Sequence, residues 1–442
     1  MKRWRGISDR TEDMGSIRIF ESGRPGAADI LVCAIVHPFP PCHGSGVRIA
    51  QYIRHLADLG LGIDLAVLSD LTSEAKVAEH AQAALEHCRK VVVVRHPISS
   101  SRLARLAYSV WGRTVGFRVG DRLHCPGRFP RAIHRALGRG HYRAVIISGL
   151  HLAALTRIFH PPVLRILEAQ DVWFDRYQSF AALGRGAELA NFSDPGREAR
   201  LVQRFDQVLA LTERDASIFR SIGVTRPIAV VPFVADAELM GLSGVGAGEP
   251  PARPPRILFV GSEGSNNLDG IRFFRTRVLP IVRRQVPTCR FRVVGKAAGH
   301  LDAGGGVDLV GWCDRLADEY RQAAAVVVPL RMGSGLKTKT VEALAHGKAL
   351  ISTTIGVQGI DLVPGRDAAV SDDPAVLAQE TIRILQDDGV RQSFEENARA
   401  LSARLFDPHT AFQPLRQILG LEMKPDRIRA GAAIPGAARG SP

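Results

Sequence analysis

The strongest constraint on the fold is a grammar the chain repeats: a short apolar, β-branched run, a turn-forming loop, then an amphipathic helix. The first set of runs is ILVCAIV (30–36), GIDLAVLSD (62–70), VVVVRHP (91–97), YRAVIISG (142–149), VLRILEA (163–169) and QVLALT (207–212). After IAVVPFVAD (228–236) comes the Gly/Pro-rich stretch GLSGVGAGEPPARPP (241–255), which has no periodicity and reads as a linker. The pattern then restarts with RILFVGS (256–262), RFRVVG (290–295), VDLVGW (307–312), AAVVVPL (324–330) and ALISTT (349–354). Strands alternating with helices predict an α/β protein with parallel sheets. A chain of 442 residues is also long for a single core. The expected organisation is an N-terminal extension (1–27), a first doubly wound domain (28–235), a linker (236–255) and a second such domain (256–405). A last helix (406–422) and a disordered tail (423–442) complete it.

Composition narrows the class. The longest apolar runs are far too short to span a bilayer, and no apolar run follows the basic N-terminal residues, so neither a membrane span nor a signal peptide is expected. Six cysteines stand at 33, 42, 88, 125, 289 and 313 without a C-x-x-C pair, which fits a reducing cytoplasm. The formal charge is +14 and unevenly spread: ten arginines and one acid, Asp121, lie between Ser101 and Arg143, interleaved with apolar and aromatic residues. Such a segment suits an anionic membrane surface, so peripheral attachment to the inner face of the cytoplasmic membrane is one expectation; a basic surface without a partner is the other. No nucleic acid is expected, since no recognised binding pattern accompanies the charge. His37, His43, His151 and His160 form no metal-ligand set, and there is neither a G-x-S-x-G elbow nor a P-loop.

In doubly wound sheets the ligand site forms at the carboxyl ends of the strands. Three loops placed there have distinctive chemistry. In HPFPPCHGSGVR (37–48), Gly44, Ser45 and Gly46 open a helix whose unpaired N–H groups suit an anion, and Arg48 lies one turn further on. In VGSEGSNN (260–267), Gly261 and Ser262 occupy a phosphate-loop position without G-x-G-x-x-G; Asn266 is a further donor-binding candidate, and Asn266 and Asn267 can cap the next helix. The richest is PLRMGSGLKTKTVEALAHGKALISTT (329–354), where Gly333, Ser334 and Gly335 offer free amides and Lys337 and Lys339 add cations for a diphosphate. Glu342, on the same helix, can grip two vicinal ribose hydroxyls at once.

The 329–360 block resembles the donor-binding signature of glycosyltransferase family 4 and its GT-B relatives. It is most similar to the subgroup reading P-x-x-x-G-S-G-x-K-x-K-x-x-E-A-x-A-x-G-K-x-x-x-x-T. The resemblance extends through residues 262–287, 307–312, 40–60, 165–176 and 197–215. It implies two facing Rossmann-like domains, the last helix crossing back to the first, and a retaining transferase that needs no metal or other cofactor. The donor would be a nucleotide-diphosphate sugar and the acceptor a growing glycan or a lipid-linked hydroxyl. By the same resemblance Glu342 holds the ribose, and Lys337, Lys339 and the 333–335 amides hold the diphosphate. Gly311 and Trp312 flank the base, and Gly44 to Gly46 meet the donor from the first domain.

The chain departs from the family pattern in three places. Ser334 stands where many members carry a first glutamate. Gln170 and Asp171 stand where many carry a His-Asp pair, and glutamine can hydrogen-bond a sugar hydroxyl without acting as a base. The cations of a G-R-x-x-x-x-K-G loop are missing from SEGSNN, so Lys337, Lys339, Arg331 or Arg48 must compensate. The catalytic candidates are therefore Asp171, Gln170 and Lys337, with His37 and His43 as loop alternatives to Asp171. Two other readings stay open: a degenerate homologue that binds or assembles without catalysis, and a nucleotide-sugar epimerase of the same fold.

Overall fold

The computed structural model describes residues 17–24, 26–41, 44–95, 125–137, 142–237, 240–242, 253–313 and 315–421. Residues 101–124 of the arginine-rich segment, most of the predicted linker, His43 and the predicted tail lie outside them.

Eight strands form the first sheet: β1 (Ile17–Glu21), β2 (Ile30–Ala34), β3 (Ile63–Ser69), β4 (Lys90–Arg95), β5 (Ala144–Ser148), β6 (Leu164–Glu168), β7 (Gln207–Ala210) and β8 (Ile228–Val230). Their order is β1-β4-β3-β2-β5-β6-β7-β8, and all neighbours are parallel except β1 against β4. Residues 17–21, assigned by sequence to an extension, thus add an antiparallel edge strand, with Ile19 opposite Val92. Strands β2, β3 and β5 are buried along their whole length, as expected of sheet strands covered on both faces.

The second sheet has six parallel strands: β9 (Arg256–Val260), β10 (Arg290–Val294), β11 (Val307–Gly311), β12 (Ala325–Val328), β13 (Leu350–Ser352) and β14 (Ala369–Val370). They are ordered β11-β10-β9-β12-β13-β14. Each sheet carries a core on both faces. The helical stretch after β9 runs as Ser265–Phe273, a π turn Phe274–Val278, and Leu279–Gln285. Its wider turn accompanies burial of Phe273, Phe274, Val278, Leu279 and Val282 in one core.

The chain end returns to the first sheet. Ala411, Phe412, Leu415 and Leu419 join its core beside the Gly44–Asp58 helix. There Phe412 stacks on His55 with ring centroids 4.4 Å apart, and Arg143 donates to the Leu419 carbonyl at 3.0 Å. Of the arginine-rich segment, the Arg128–Leu137 helix is described; it buries Phe129, Ala132 and Ile133 and turns Arg131 and Arg135 outward. No helix among the described residues is long and apolar enough to cross a membrane.

Candidate nucleotide-sugar site

A doubly wound sheet opens a crevice where its strand order reverses. In the second sheet that point lies between β9 and β12. The loops leaving these two strands are 261–264 and 329–337, so two of the three candidate loops meet at one crevice. Gly335 has φ +64°, and a Cβ there would lie 3.1 Å from the Gln170 carbonyl oxygen. Only glycine gives that backbone shape and that approach to the first domain.

Lys337 precedes the Thr338–Ala345 helix and turns back into its own loop. Its Nζ donates to the carbonyls of Ser334 (3.1 Å) and Gly335 (2.6 Å) and to Gln358 Oε1 (3.2 Å). Burial pushes its pKa down to about 7, against the partial support of Asp215 and Asp175. The Ser334 hydroxyl oxygen is buried without a hydrogen-bond partner among the described residues. An unpaired buried oxygen in a loop of glycines marks a polar cradle able to take a further ligand, although the Gly333 N–H at its edge is already held by Ser179 Oγ.

Two residues after Lys337, Lys339 reaches Asn267 Oδ1 and lies 4.7 Å over the Phe259 ring. Burial lowers its pKa to about 8, opposed by Glu342. Asn267 in turn donates to the Ser262 carbonyl and hydroxyl, at 3.0 and 3.2 Å. Glu342 accepts from the Tyr320 hydroxyl at 2.8 Å, and burial raises its pKa. Tyr320 is held by stacking on His346, centroids 4.4 Å apart. Loop 329–337 and the helix after it therefore present a hydroxyl, two cations and an oriented carboxylate within three turns of chain. Gly311 ends β11, and Trp312 follows it on the surface, 60% exposed.

The first sheet reverses between β2 and β5. Gly44, Ser45 and Gly46 begin the helix beyond β2, with no acid in its first turn. Gln170 and Asp171 follow β6, and Gln170 Nε2 donates to Ser148 Oγ at the end of β5, at 2.8 Å. Asp171 is not a helix cap: it accepts from Arg176 at 2.8 Å. The cap is Glu198, which receives the Trp173 and Phe174 amides at 2.7 and 2.8 Å. Burial raises Glu198 to about 7. His37 is buried against Ser69, its Nε2 at 2.6 Å from the hydroxyl, and burial lowers its pKa to about 4.

The two halves touch. Gly333 N–H donates to Ser179 Oγ at 2.8 Å, and a Cβ on Gly44 would come within 2.4 Å of Thr338 Oγ1. A Cβ on Gly333 would also lie 3.9 Å from Asn266 Nδ2, so Asn266 faces the same loop.

Two assignments made from sequence need correction. Arg48 is fully buried and is spent inside the first domain on Glu168, Tyr52 and the carbonyls of Val231 and Pro232, so it is not offered to a ligand. Arg331 lies next to the cradle, but Asp269 grips its guanidinium at 2.5 and 2.9 Å. Sequence reasoning missed Tyr320, Ser148, Ser179 and Glu168, and took Asn267 only as a possible cap of the next helix. Tyr320, Ser148, Ser179 and Glu168 each act through a partner 20 to 154 residues away, a pairing no local motif announces.

This fold and this crevice define a GT-B architecture, two Rossmann-like domains with a C-terminal helix returning to the first. Residues 254–387, within the second domain, match the family model described as glycosyl transferases group 1. The chain is similar to an uncharacterized 44.6 kDa protein in the cps region of Klebsiella pneumoniae, 22% identical over 409 residues, 88% of this chain and 99% of that protein. Sucrose-phosphate synthase from Thermosynechococcus elongatus has a similar structure, with TM-score 0.63, 18% identity and coverage of 89% and 100% of the two chains. So has Anabaena HepE in complex with UDP and glucose, with TM-score 0.59, 14% identity and coverage of 89% and 99%.

Proposed function

We propose that this chain is a retaining, metal-independent glycosyltransferase of the family 4 type, which moves a hexose from a nucleotide-diphosphate sugar to a hydroxyl of a glycan or lipid-linked acceptor. The observation that carries this reading is the approach of Gly335 in the 333–335 cradle to Gln170 and Asp171 of the other domain, on the loop that leads into the helix bearing Lys339 and Glu342. In this reading Glu342 takes the ribose hydroxyls, Tyr320 fixing its orientation. Of the 333–335 cradle, the Ser334 and Gly335 amides join the two lysines in taking the diphosphate, the Gly333 N–H being held by Ser179, and the bound anion draws Lys337 away from its own loop carbonyls. Trp312 and Gly311 border the base.

The acceptor oxygen bonds to the anomeric carbon as the bond from that carbon to the diphosphate oxygen breaks. The acceptor proton passes to the departing oxygen on the same face, so the configuration is kept. Amides and lysines already in place stabilise the charge that builds on the leaving group, a role metals fill in other transferases. The setting of the Klebsiella pneumoniae relative in a cps region, and the UDP-glucose complex of Anabaena HepE, favour glycan assembly from such a donor.

Proton NMR of donor breakdown tests the reading. With UDP-glucose, GDP-mannose, ADP-glucose and dTDP-glucose offered in turn, an α-linked donor should release the α-anomer first, before mutarotation. First release of the β-anomer contradicts retention, and no release from any donor favours the non-catalytic alternative.

A further inference from the structure

Between the Gly44–Asp58 helix and the crevice, four polar side chains form an unbroken file. Arg48 Nε lies 3.3 Å from Glu168 Oε1, both side chains at most 1% exposed. Ser148 Oγ donates to Glu168 Oε2 at 2.7 Å, and Gln170 Nε2 lies 2.8 Å from Ser148 Oγ. Beyond Arg48 the file reaches the carbonyls of Val231 and Pro232, on the segment that follows β8. Neighbouring Gln51 clamps the same segment, exchanging two hydrogen bonds with Val234 at 2.8 and 3.2 Å.

The direction of each bond in this file follows from chemistry. A carboxylate paired with arginine has no proton to give and can only accept. Ser148 must therefore point its single O–H at Glu168, which leaves its lone pairs facing Gln170. Gln170 must then turn its NH2 group inward, and its Oε1 outward. That oxygen has no partner among the described residues, and Gln170 is half-buried at the rim of the crevice beside Gly335. A glutamine amide otherwise turns over readily, because its two ends have the same shape.

We propose that Arg48, Glu168 and Ser148 are positioning residues that fix the polarity of the Gln170 amide, so that the crevice always meets its oxygen and a sugar hydroxyl always finds an acceptor there. The link to a sugar hydroxyl rests on the transferase reading; the fixed polarity does not. The relay explains how the chain uses glutamine where a histidine is common in similar sequences. An imidazole carries its own acceptor once its tautomer is set, whereas an amide must be held by its neighbours. It also accounts for a buried Arg–Glu pair, an arrangement whose own contribution to stability is commonly small.

The experiment compares Ser148→Ala with Ser148→Thr in the full chain. Ser148→Ala leaves the Arg48–Glu168 pair in place, while Ser148→Thr keeps the hydroxyl. Hydrogen exchange of the Gln170 side-chain NH2, followed by NMR without ligand, should be slow in wild type and Ser148→Thr and fast in Ser148→Ala. With UDP-glucose or whichever donor is consumed, Ser148→Ala should lower kcat about tenfold or more, the scale of one lost hydrogen bond, while the Kd for the nucleotide alone stays within about twofold. Ser148→Thr should restore most of the rate. Equal NH2 exchange in all three proteins overturns the relay. So does a Ser148→Ala enzyme with wild-type kcat, or one that loses rate and nucleotide binding together. Slow exchange in wild type lost in Ser148→Ala, with no donor consumed by wild type, supports the relay and refutes the transferase reading instead.

Discussion

Lys337 is buried, and its charge is held at a cost. With a pKa near 7 it is already half neutral at neutral pH, and its three protons are shared among carbonyl and amide oxygens of the 334–358 region. A bound diphosphate stabilises the charged form and raises that pKa, so donor binding takes up a proton. Affinity for a nucleotide-diphosphate sugar, whose phosphates do not titrate near neutrality, should be highest below pH 7 and fall as pH rises through 7, by up to about tenfold per unit. Titration calorimetry of UDP-glucose between pH 6.5 and 8.5 checks this, and Lys337→Gln should remove the fall through 7 and leave the fall through about 8 that Lys339 contributes. A pH-independent Kd in wild type contradicts the role. Residues of this loop were legible because the chain delivers them in consecutive turns: glycines, two lysines and a glutamate need no partner to be recognised. Arg48 misled because an arginine one turn into a helix beside a glycine loop has the local pattern of a ligand. Only the fold brings Glu168, 120 residues later, against it.

The elements holding the catalytic candidates depend on contacts of equally long range. The Trp173–Ala181 helix begins two residues after Asp171 and has no side-chain cap of its own. Glu198, from the Pro195–Val202 helix, closes its first two amides instead. Glu198→Ala should destabilise the protein by about 1–3 kcal/mol, the usual cost of leaving buried amides unpaired, and loosen the Gln170–Asp171 turn. Urea unfolding read by tryptophan fluorescence measures this; an unchanged midpoint removes Glu198 from the account. Of the fourteen strands among the described residues, eleven were legible from β-branched runs bounded by turns, while β8 lies in IAVVPFVAD, which was read only as the stretch before the linker. β1 escaped because it is an antiparallel edge strand whose polar alternation resembles a tail, and β14 because two residues make no pattern. The π turn at 274–278 has no sequence mark either, since the pressure to bury Phe273 and Phe274 together comes from the sheet beneath.

At the scale of the molecule, the crevice closes through glycine. Gly44 meets Thr338 so closely that any side chain must push the two domains apart or displace the threonine. Gly44→Ala should raise the donor KM several-fold with little change in Tm, and adding Thr338→Ala should restore most of it. A single variant with wild-type KM, or a double variant no better than the single, contradicts a contact that sets closure. The division into two doubly wound halves was legible because the strand grammar restarts after a Gly/Pro-rich stretch; how closely the halves approach was not, because it depends on which glycines face each other. Glu342, oriented by the Tyr320 hydroxyl, lies at the centre of the account as the carboxylate proposed to take the ribose hydroxyls of the donor. Calorimetric binding of UDP-, GDP-, ADP- and dTDP-sugars to the wild type and to Glu342→Ala tests this most directly. The account predicts micromolar-to-millimolar binding of one nucleotide class by the wild type, weakened about tenfold or more in the variant, whose fold is confirmed by its Tm. Equal affinity in both proteins, or no binding of any nucleotide sugar by the folded wild type, would contradict it.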